Sequence, residues 1–459
     1  MSLSATLTSD LGDLSLSFGR KLVLPDDERF DEARRAWNLA VDQRPAAVVF
    51  PESAQDVVAA VMLARESGGQ VAAQGTGHNA GPLGSLENTI LLKTERMRDV
   101  VIDPARRVAR VGAGVLAAEL VLAAGRHGLA AVAGTSPDVG VVGFTLGGGI
   151  GVLSRRFGLA ANHVRAFEVV TADGQLVRTD REQEPDLFWA LRGGGGSFGV
   201  VTAMELELLP VTRVYAGTLW YPIERARQVL EAWRELTESD PPDELGTIGR
   251  IMHFPPLPDF PEALRGKSFV LVHVYHAADP AQADRLLAPL RALGPVNDTV
   301  GTVMLPALMA VHMDPERPAP VAGDGLMVAE LPSAAVETFV EVAIESGLLT
   351  VELRHLEGEL ARARPENGAL ASIPAQHVLY AGDIAPTPEL AAAAHERIEE
   401  IGQALAPWAA SYINPNFAET GRDALALWPE PAYQRLRQIK RTVDPDNVIQ
   451  PNHPITSRS

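Results

Sequence analysis

The sequence predicts an α+β fold, because two kinds of pattern follow one another along the chain. From residue 46 to residue 73 an apolar run, a helical segment and a second apolar run follow in β-α-β order. A span of about 30 residues in that order is typical of a parallel crossover. From residue 216 to about residue 400, strands alternate with alanine-rich helical segments, which predicts an antiparallel sheet with helices on one face.

The elements of the first half follow from local patterns. Apolar spacing predicts a helix over residues 29–40 and a short buried strand over 46–50. Ser53 and Asp56 have the spacing of a capping box, which predicts a helix over 54–67. The other predicted strands cover 71–73, 89–92, 100–103, 107–114, 164–171, 175–178 and 200–208, and the other predicted helices cover 116–125 and 186–191.

The second half changes composition near Pro210 and divides the chain into three expected parts. We expect domain boundaries that give residues 1–212, 213–406 and 407–459. In the middle part the predicted strands cover 218–221, 247–252, 269–275, 325–330 and 349–353. The predicted helices there cover 223–238, 280–293, 332–346 and 387–406.

Composition excludes several classes of function. The 459 residues include no cysteine, which excludes disulfides, thiolate nucleophiles and cysteine-held metal centres. A net charge of −18 makes nucleic acid and anionic membranes poor partners. No signal peptide or apolar run of about 18 residues is evident, so a cytoplasmic location and no membrane span are expected. The histidines lack metal-ligand spacing, so no metal is expected.

Three glycine-rich segments carry the strongest functional signal. The first, residues 74–79, places two glycines around a threonine and ends beside His78, a pattern that suits close approach to an anion. The second, residues 134–151, holds seven glycines in eighteen residues and is too apolar for a flexible linker. The third covers residues 192–199. Three such loops do not fit a Rossmann fold, which uses one.

Together with the Ala172-Asp173-Gly174 turn and the tail segments 444–449 and 451–454, these loops resemble the vanillyl-alcohol-oxidase-like FAD enzymes. Among them the chain is most similar to the berberine-bridge-enzyme-like oxidases. The resemblance implies a PCMH-type FAD-binding domain of two α/β subdomains, to which the tail returns. It also implies a substrate domain whose antiparallel sheet is covered by helices.

The resemblance also implies how FAD is held. His78 matches the histidine that bonds covalently to the flavin, and Ser136 stands where doubly linked relatives have cysteine, so a single link is expected. Val139 stands where relatives admit oxygen, which favours an oxidase. The other residues that the resemblance assigns to FAD binding are Gly75, Thr76, Gly77, Asn79, Gly140, Gly143, Thr145, Gly148, Gly149, Gly199, Val201, Asn414 and Asn452.

Candidate catalytic residues come from two segments. Tyr412 belongs to a Tyr-x-Asn segment that returns to the flavin in relatives, so it is the leading candidate for the base, with a packed aromatic as the alternative. In the predicted strand that ends at His355, alternate residues share a face. Either Glu352 with Arg354, or His355 alone, could face the substrate, and a solvated or ion-paired face is the alternative.

The resemblance implies an FAD-dependent oxidase of secondary metabolism. Its substrate would be a small alcohol, amine or natural-product intermediate, oxidised at a C–H bond beside oxygen or nitrogen. Hydride would pass to flavin N5, and O2 would reoxidise the flavin to give H2O2. The alternatives are a flavin-dependent monooxygenase or dehydrogenase, and a non-catalytic protein that binds flavin or a small molecule. The sequence does not predict an oligomeric state.

Overall fold

The computed structural model describes residues 18–258 and 260–457, and its strands form three sheets. The strands of the first sheet are β1 (Leu22–Val23), β2 (Ala47–Val49), β3 (Gln70–Gln74) and β4 (Thr89–Lys93). Their order is β1-β2-β4-β3, and β2 and β3 both run parallel to β4. The helices of this region are α1 (Phe30–Ala33) and α2 (Ala54–Glu66). The predicted capping box between Ser53 and Asp56 is confirmed at the start of α2.

The second sheet is antiparallel and has the order β5-β6-β9-β7-β8. Its strands are β5 (Val100–Asp103), β6 (Val108–Gly112), β7 (Val164–Val170), β8 (Leu176–Thr179) and β9 (Val200–Glu207). The connections contain α3 (Ala117–Gly125), α4 (Val141–Leu146), α5 (Ser154–Phe157) and α6 (Pro185–Leu191). The glycine-dense segment 134–151 therefore includes one short helix, α4.

The third sheet has eight antiparallel strands. They are β10 (Arg213–Pro222), β11 (Leu245–His253), β12 (Ser268–His276), β13 (Asn297–Asp298), β14 (Gly301–Met304), β15 (Val321–Val328), β16 (Thr350–His355) and β17 (His377–Ile384). The main order is β13-β10-β12-β11-β16-β17-β15, and β14 pairs with β10.

Four helices cover one face of this third sheet. They are α7 (Ala226–Glu238), α8 (Pro280–Ala292), α9 (Ser333–Ser346) and α10 (Pro388–Leu405). Trp233, Phe339 and Leu405 from these helices share one apolar core with sheet residues such as Leu219 and Leu353. This confirms the α+β class, with helices on one face of an antiparallel sheet. The opposite face is left free to contribute to a site.

The tail joins the first sheet. The backbone N–H of Val71 in β3 donates to the Val448 carbonyl at 2.8 Å, and that of Gln450 donates back to Val71 at 2.8 Å. The last helix, α11 (Glu430–Val443), presents Lys440 to the Ser197 carbonyl at 2.7 Å. Residues near the C-terminus are therefore fixed beside the glycine segments. No helix in the described ranges is both long and apolar enough to cross a membrane.

One predicted helix is wrong, and seven elements were not predicted. The helix expected over 29–40 ends at Ala33, because the N–H groups of Trp37 and Asn38 donate to the Thr76 and Gly77 carbonyls rather than along a helix. The elements without a predicted counterpart are strands β1, β13, β14 and β17 and helices α4, α5 and α11. The early break of α1 matters because it brings Trp37 to the first glycine segment.

Candidate active site

A large cavity of about 1110 Å³ joins the two halves of the molecule. It is lined by all three glycine segments, by the tail around residues 449–453, and by β11, β16 and β17 of the third sheet. Pockets for a single small ligand are typically about 300–1,000 Å³, so this volume suits a large cofactor together with a substrate.

His78 is held in the cavity lining by an aromatic neighbour, Trp37, and an acidic neighbour, Asp138. The indole of Trp37 stacks on its imidazole, with ring centroids 3.9 Å apart. Its Nε2 lies 3.0 Å from Asp138 Oδ1, and Trp37 Nε1 donates to Asp138 Oδ2. The Ser136 hydroxyl also donates to Asp138, at 3.2 Å. Burial opposes ionisation of Asp138, but the hydrogen bonds from His78 and the other donors hold its pKa below the ordinary value. The imidazole is therefore fixed before any ligand binds.

The glycine segments form a close-fitting backbone surface around this histidine. Gly77 has φ +89°, and a side chain there would come within 2.8 Å of the Ala36 Cβ, so only glycine fits. A Cβ on Gly143 would meet no atom within 4 Å, which means that this glycine faces open cavity. Asn79 donates to the Pro415 and Ala418 carbonyls at 3.1 Å each, and its Oδ1 is buried without a partner among the described residues.

FAD fits this set of residues. The cavity is large enough, glycine backbones line it at three places, and a buried amide oxygen at Asn79 lacks a donor. Bare backbone and free polar atoms beside apolar walls suit a bulky ligand with a phosphate chain and a flat ring. The residues that would hold FAD are those of the glycine segments together with Asn452 and Gln450 of the tail.

The predicted cofactor residues divide into two groups by position. The cavity is lined by Gly75, Thr76, Gly77, His78, Asn79, Ser136, Val139, Gly140, Gly143, Gly199, Val201 and Asn452. The residues outside the lining are Thr145, Gly148, Gly149 and Asn414. Thr145 donates within α4 to the Val141 carbonyl, and Asn414 caps the turn that follows it. The neighbouring Asn416, which was not predicted, lines the cavity and accepts from the Gly149 N–H at 2.9 Å.

Two of the three predicted catalytic residues lie away from the cavity. Tyr412 is half-buried against the core of the second sheet, its hydroxyl lacks a partner within the described ranges, and burial raises its pKa. A phenol held protonated outside the cavity is not placed to act as a base. His355 contacts Glu357 at 2.8 Å and Arg155 at 2.9 Å, also outside the lining. It points to the opposite face of β16 from Glu352, as strand alternation requires.

Glu352 lines the cavity at the centre of a buried charged cluster. Its Oε1 accepts from Arg354 Nε at 2.6 Å, and its Oε2 lies 2.6 Å from His312 Nε2. Arg250, which is paired with Glu352 across β11 and β16, brings its Nε within 3.6 Å of the same carboxylate. Burial would raise the pKa of Glu352, but the surrounding Arg354, His312 and Arg250 hold it well below its usual range.

A tyrosine and a glutamate, Tyr380 and Glu419, also line the cavity, near the loop that carries His78. The Tyr380 hydroxyl in β17 donates to Glu419 Oε1 at 3.0 Å. Glu419 follows Ala418, whose carbonyl is held by Asn79, so the pair is tied to the loop that carries His78. A side chain at Gly323 would come within 2.3 Å of the Tyr380 hydroxyl, so that glycine leaves room for the pair. Burial and, to a smaller extent, the negative charge of nearby Asp324 raise the pKa of Glu419 to about 7. The hydrogen bond from Tyr380 lowers this pKa, but its effect is smaller than that of burial.

Several residues of the site were missed by sequence reasoning. Those that line the cavity are Trp37, Arg250, His312, Tyr380, Asn416 and Glu419. Asp138, which accepts from Trp37 and lies 3.0 Å from His78 Nε2, was missed as well. Asp138 could have been found, because it lies inside the second glycine segment between two assigned positions. The others carry no local motif and meet only through the fold. Within the described ranges, no group of three or more histidine or acidic side chains has the geometry to hold a metal ion.

Comparison with known proteins finds an FAD binding domain and relatives that are oxidases. Residues 45–180 match the family model described as an FAD binding domain. The chain is 29% identical over 467 residues to (R)-6-hydroxynicotine oxidase of Paenarthrobacter nicotinovorans, covering 96% of this chain and 97% of that protein. It is 34% identical over 229 residues to glucooligosaccharide oxidase of Sarocladium strictum, covering 48% and 45% of the two chains.

Solved structures give the same fold. The crystal structure of 6-hydroxy-D-nicotine oxidase from Arthrobacter nicotinovorans superposes with a TM-score of 0.81 at 26% identity, covering 95% of this chain and 98% of that one. The C166A variant of berberine bridge enzyme superposes with a TM-score of 0.80 at 19% identity, covering 97% and 99%, and this likeness concerns the fold alone. The chain therefore has an FAD binding domain over residues 45–180 and is an FAD-linked oxidoreductase, similar to the berberine-bridge-enzyme-like oxidases and on the fold that its motifs predict.

Proposed function

We propose that this enzyme oxidises a C–H bond beside oxygen or nitrogen in a small organic molecule and reduces O2 to H2O2. The observation that carries the proposal is that one cavity is lined both by the glycine segments with His78 and by ionisable groups of the third sheet. When bound, FAD supplies the two-electron acceptor and returns the electrons to O2. The substrate loses two electrons and two protons, which O2 takes up as H2O2. Val139 in the lining favours the oxidase over a dehydrogenase.

The surroundings of His78 support a covalent bond to FAD through this residue alone. Because the carboxylate of Asp138 accepts from Nε2, the lone pair of the neutral ring lies on Nδ1, which makes no hydrogen bond to any described residue. A nitrogen nucleophile oriented by a carboxylate is the arrangement that covalent attachment needs. Ser136 lines the same cavity but carries a hydroxyl in place of a thiol, so it supports no second link.

Tyr380 and Glu419 support the proton transfer. A base must take the proton from the hydroxyl or amine of the substrate as the C–H bond breaks, and a base with a pKa near the working pH is the most effective. Glu419 has a pKa of about 7 and lines the cavity beside the His78 loop. Tyr380 donates to one of its oxygens and so orients the carboxyl group. We assign Glu419 as the base and Tyr380 as the residue that positions it.

The covalent link is tested by precipitating the purified protein in trichloroacetic acid. We expect yellow, fluorescent flavin to stay with the wild-type protein, and His78→Ala to release it all. His127→Ala, which changes an exposed histidine after α3, is the matched control and should retain the flavin. Release of flavin from the wild type, or retention by His78→Ala, would refute the link through this residue.

The reaction is tested by adding a panel of alcohols, amines and sugars to the holoenzyme without oxygen. A substrate is expected to bleach the flavin absorbance, and readmission of air should restore it with one H2O2 for each substrate molecule oxidised. Bleaching that air does not reverse would indicate a dehydrogenase. Reoxidation with no peroxide and with oxygen in the product would indicate a monooxygenase.

A further inference from the structure

A cluster of charged side chains lies on the third sheet. It consists of Arg250, His312, Asp314, Glu352 and Arg354, all of which line the cavity. Arg250 and Glu352 are opposite each other on β11 and β16, and Arg354 lies two residues farther along the same face. Apart from Arg354 and Asp314, which are partly exposed, these side chains are buried. Burying a charge there costs free energy of desolvation unless an opposite charge compensates it.

His312 is held between two carboxylates. Its Nε2 lies 2.6 Å from Glu352 Oε2, and its Nδ1 lies 2.7 Å from Asp314 Oδ1. Despite burial, the pKa values of Glu352 and Asp314 are held below their usual range by the surrounding cations. Each carboxylate therefore has a partner inside the cluster, and Glu352 is bonded to both His312 and Arg354.

The other ionisable groups near the cluster are neutral or have counterparts of their own. His273 and Tyr275, which lie next to the cluster on β12, stay neutral because burial lowers the pKa of the histidine and raises that of the tyrosine. Asp383 in the lining binds Arg397 at 3.2 Å, and Glu419 is bonded to Tyr380. Glu316 and Arg317, at an exposed part of the lining, are opposite in sign. Among the described residues, no hydrogen bond joins any of these groups to Arg250 or Arg354.

The cluster also has free donors. Arg250 uses Nε to bind the Thr350 hydroxyl at 2.7 Å and Nη1 to bind the His312 carbonyl at 2.6 Å. Arg354 uses Nε to bind Glu352. Among the described residues no acceptor takes a hydrogen bond from Arg250 Nη2 or Arg354 Nη1. Because both residues line the cavity, a ligand can meet these donors, and paired guanidinium donors suit a carboxylate.

Next to the cluster the cavity lining becomes apolar. Arg250 and Met252 lie in β11, and Phe254 comes directly after it, so the three stand at alternate positions and share one face. Phe260 and Leu264 complete the apolar part. The rings of Phe254 and Phe260 meet edge to face at 5.9 Å. We propose that the substrate is a small carboxylate with an apolar, ring-sized body, and that Arg250 and Arg354 bind its carboxylate while the apolar part holds the body. This names the substrate class of the proposed function and rests on it.

Titration calorimetry of the holoenzyme without oxygen tests the inference with phenylpropanoate, phenylpropanol and phenylpropylamine. The three probes share a body and differ in the charge of one end group. We expect the acid to bind at least about tenfold more tightly than the alcohol, and the amine to bind most weakly, since a hydrogen bond to a charged group is worth that much. Equal affinities, tighter binding of the amine, or no measurable binding of the acid would overturn the inference.

Variants test which residue causes the preference for the acid over the alcohol. Arg354→Gln is expected to abolish the tenfold advantage of the acid, and Arg354→Lys is expected to keep part of it. Arg285→Gln on α8, an exposed arginine outside the cavity, should leave it unchanged. An unchanged preference in Arg354→Gln would overturn the assignment to this residue. Because calorimetry needs no turnover, its outcome is independent of peroxide formation, and failure of the proposed oxidase reaction would be recognised separately.

Discussion

Under the proposed link through His78, Asp138→Asn is expected to slow covalent attachment of FAD without removing the histidine itself. Asp138 accepts from His78 and Ser136 on one oxygen and from Trp37 on the other. Asparagine has only one acceptor oxygen, so at least one of these donors loses its partner, and the negative charge that favours a lone pair on Nδ1 is lost.

The size of the effect follows from these bonds. A hydrogen bond to a charged group contributes about 1.5–3 kcal/mol, compared with about 0.5–1.5 kcal/mol for a neutral one. Losing the difference, about 1.5 kcal/mol, from the reacting geometry of His78 corresponds to roughly tenfold in rate. The stacking of Trp37 on His78 is retained in the variant, so complete loss of attachment is not expected.

The assay mixes flavin-free protein with FAD and measures acid-stable flavin fluorescence against time. Asp138→Asn should attach FAD about tenfold more slowly than the wild type. Ser136→Ala removes only the longer 3.2 Å bond and should slow attachment less than about threefold. If Asp138→Asn attached FAD at the wild-type rate, or if Ser136→Ala were equally slow, Asp138 would not orient His78 as argued.

Four further predictions concern three side chains. Because Glu419, as the proposed base, must be ionised to act, kcat/KM should rise about tenfold per pH unit below about pH 7 and then level off, and Glu419→Gln should remove this limb. Its folded pKa is raised, so wild-type stability relative to Glu419→Gln should fall as pH rises from 4.5 to about 7, measured by thermal unfolding. Glu352→Gln leaves buried cations unpaired and should lower the free energy of unfolding by about 3 kcal/mol in urea, whereas exposed Glu345→Gln should change it by less than about 0.5 kcal/mol. Tyr412→Phe removes a buried hydroxyl without a partner, so kcat should stay within about twofold and stability should rise by up to about 1 kcal/mol.

Each of these has an outcome that contradicts it. A pH profile for Glu419→Gln that keeps the wild-type limb would assign the base elsewhere. Equal stability of the Glu352→Gln and Glu345→Gln variants would mean that the buried cluster is not held by its central carboxylate. A large fall in kcat for Tyr412→Phe would return this residue to the catalytic site.

The sequence by itself determined the cofactor half of the protein. Glycine segments and a capping box are local features, because a backbone that bends sharply or lies against a ligand limits the residue at each position. For this reason the sequence alone could assign all three glycine segments to cofactor binding, namely the one that carries His78, the one around Gly140 and the one near Gly199. All three line one cavity.

Only the tertiary structure decided which ionisable residues meet the ligand. Trp37 reaches Asp138 across 101 residues because α1 ends early, and Tyr380 reaches Glu419 because Asn79 anchors the tail. Strand alternation allowed either face of β16 to meet the substrate, and helix packing on one side of the sheet left the other to the cavity. Such pairings depend on distant segments folding together, so no local pattern records them.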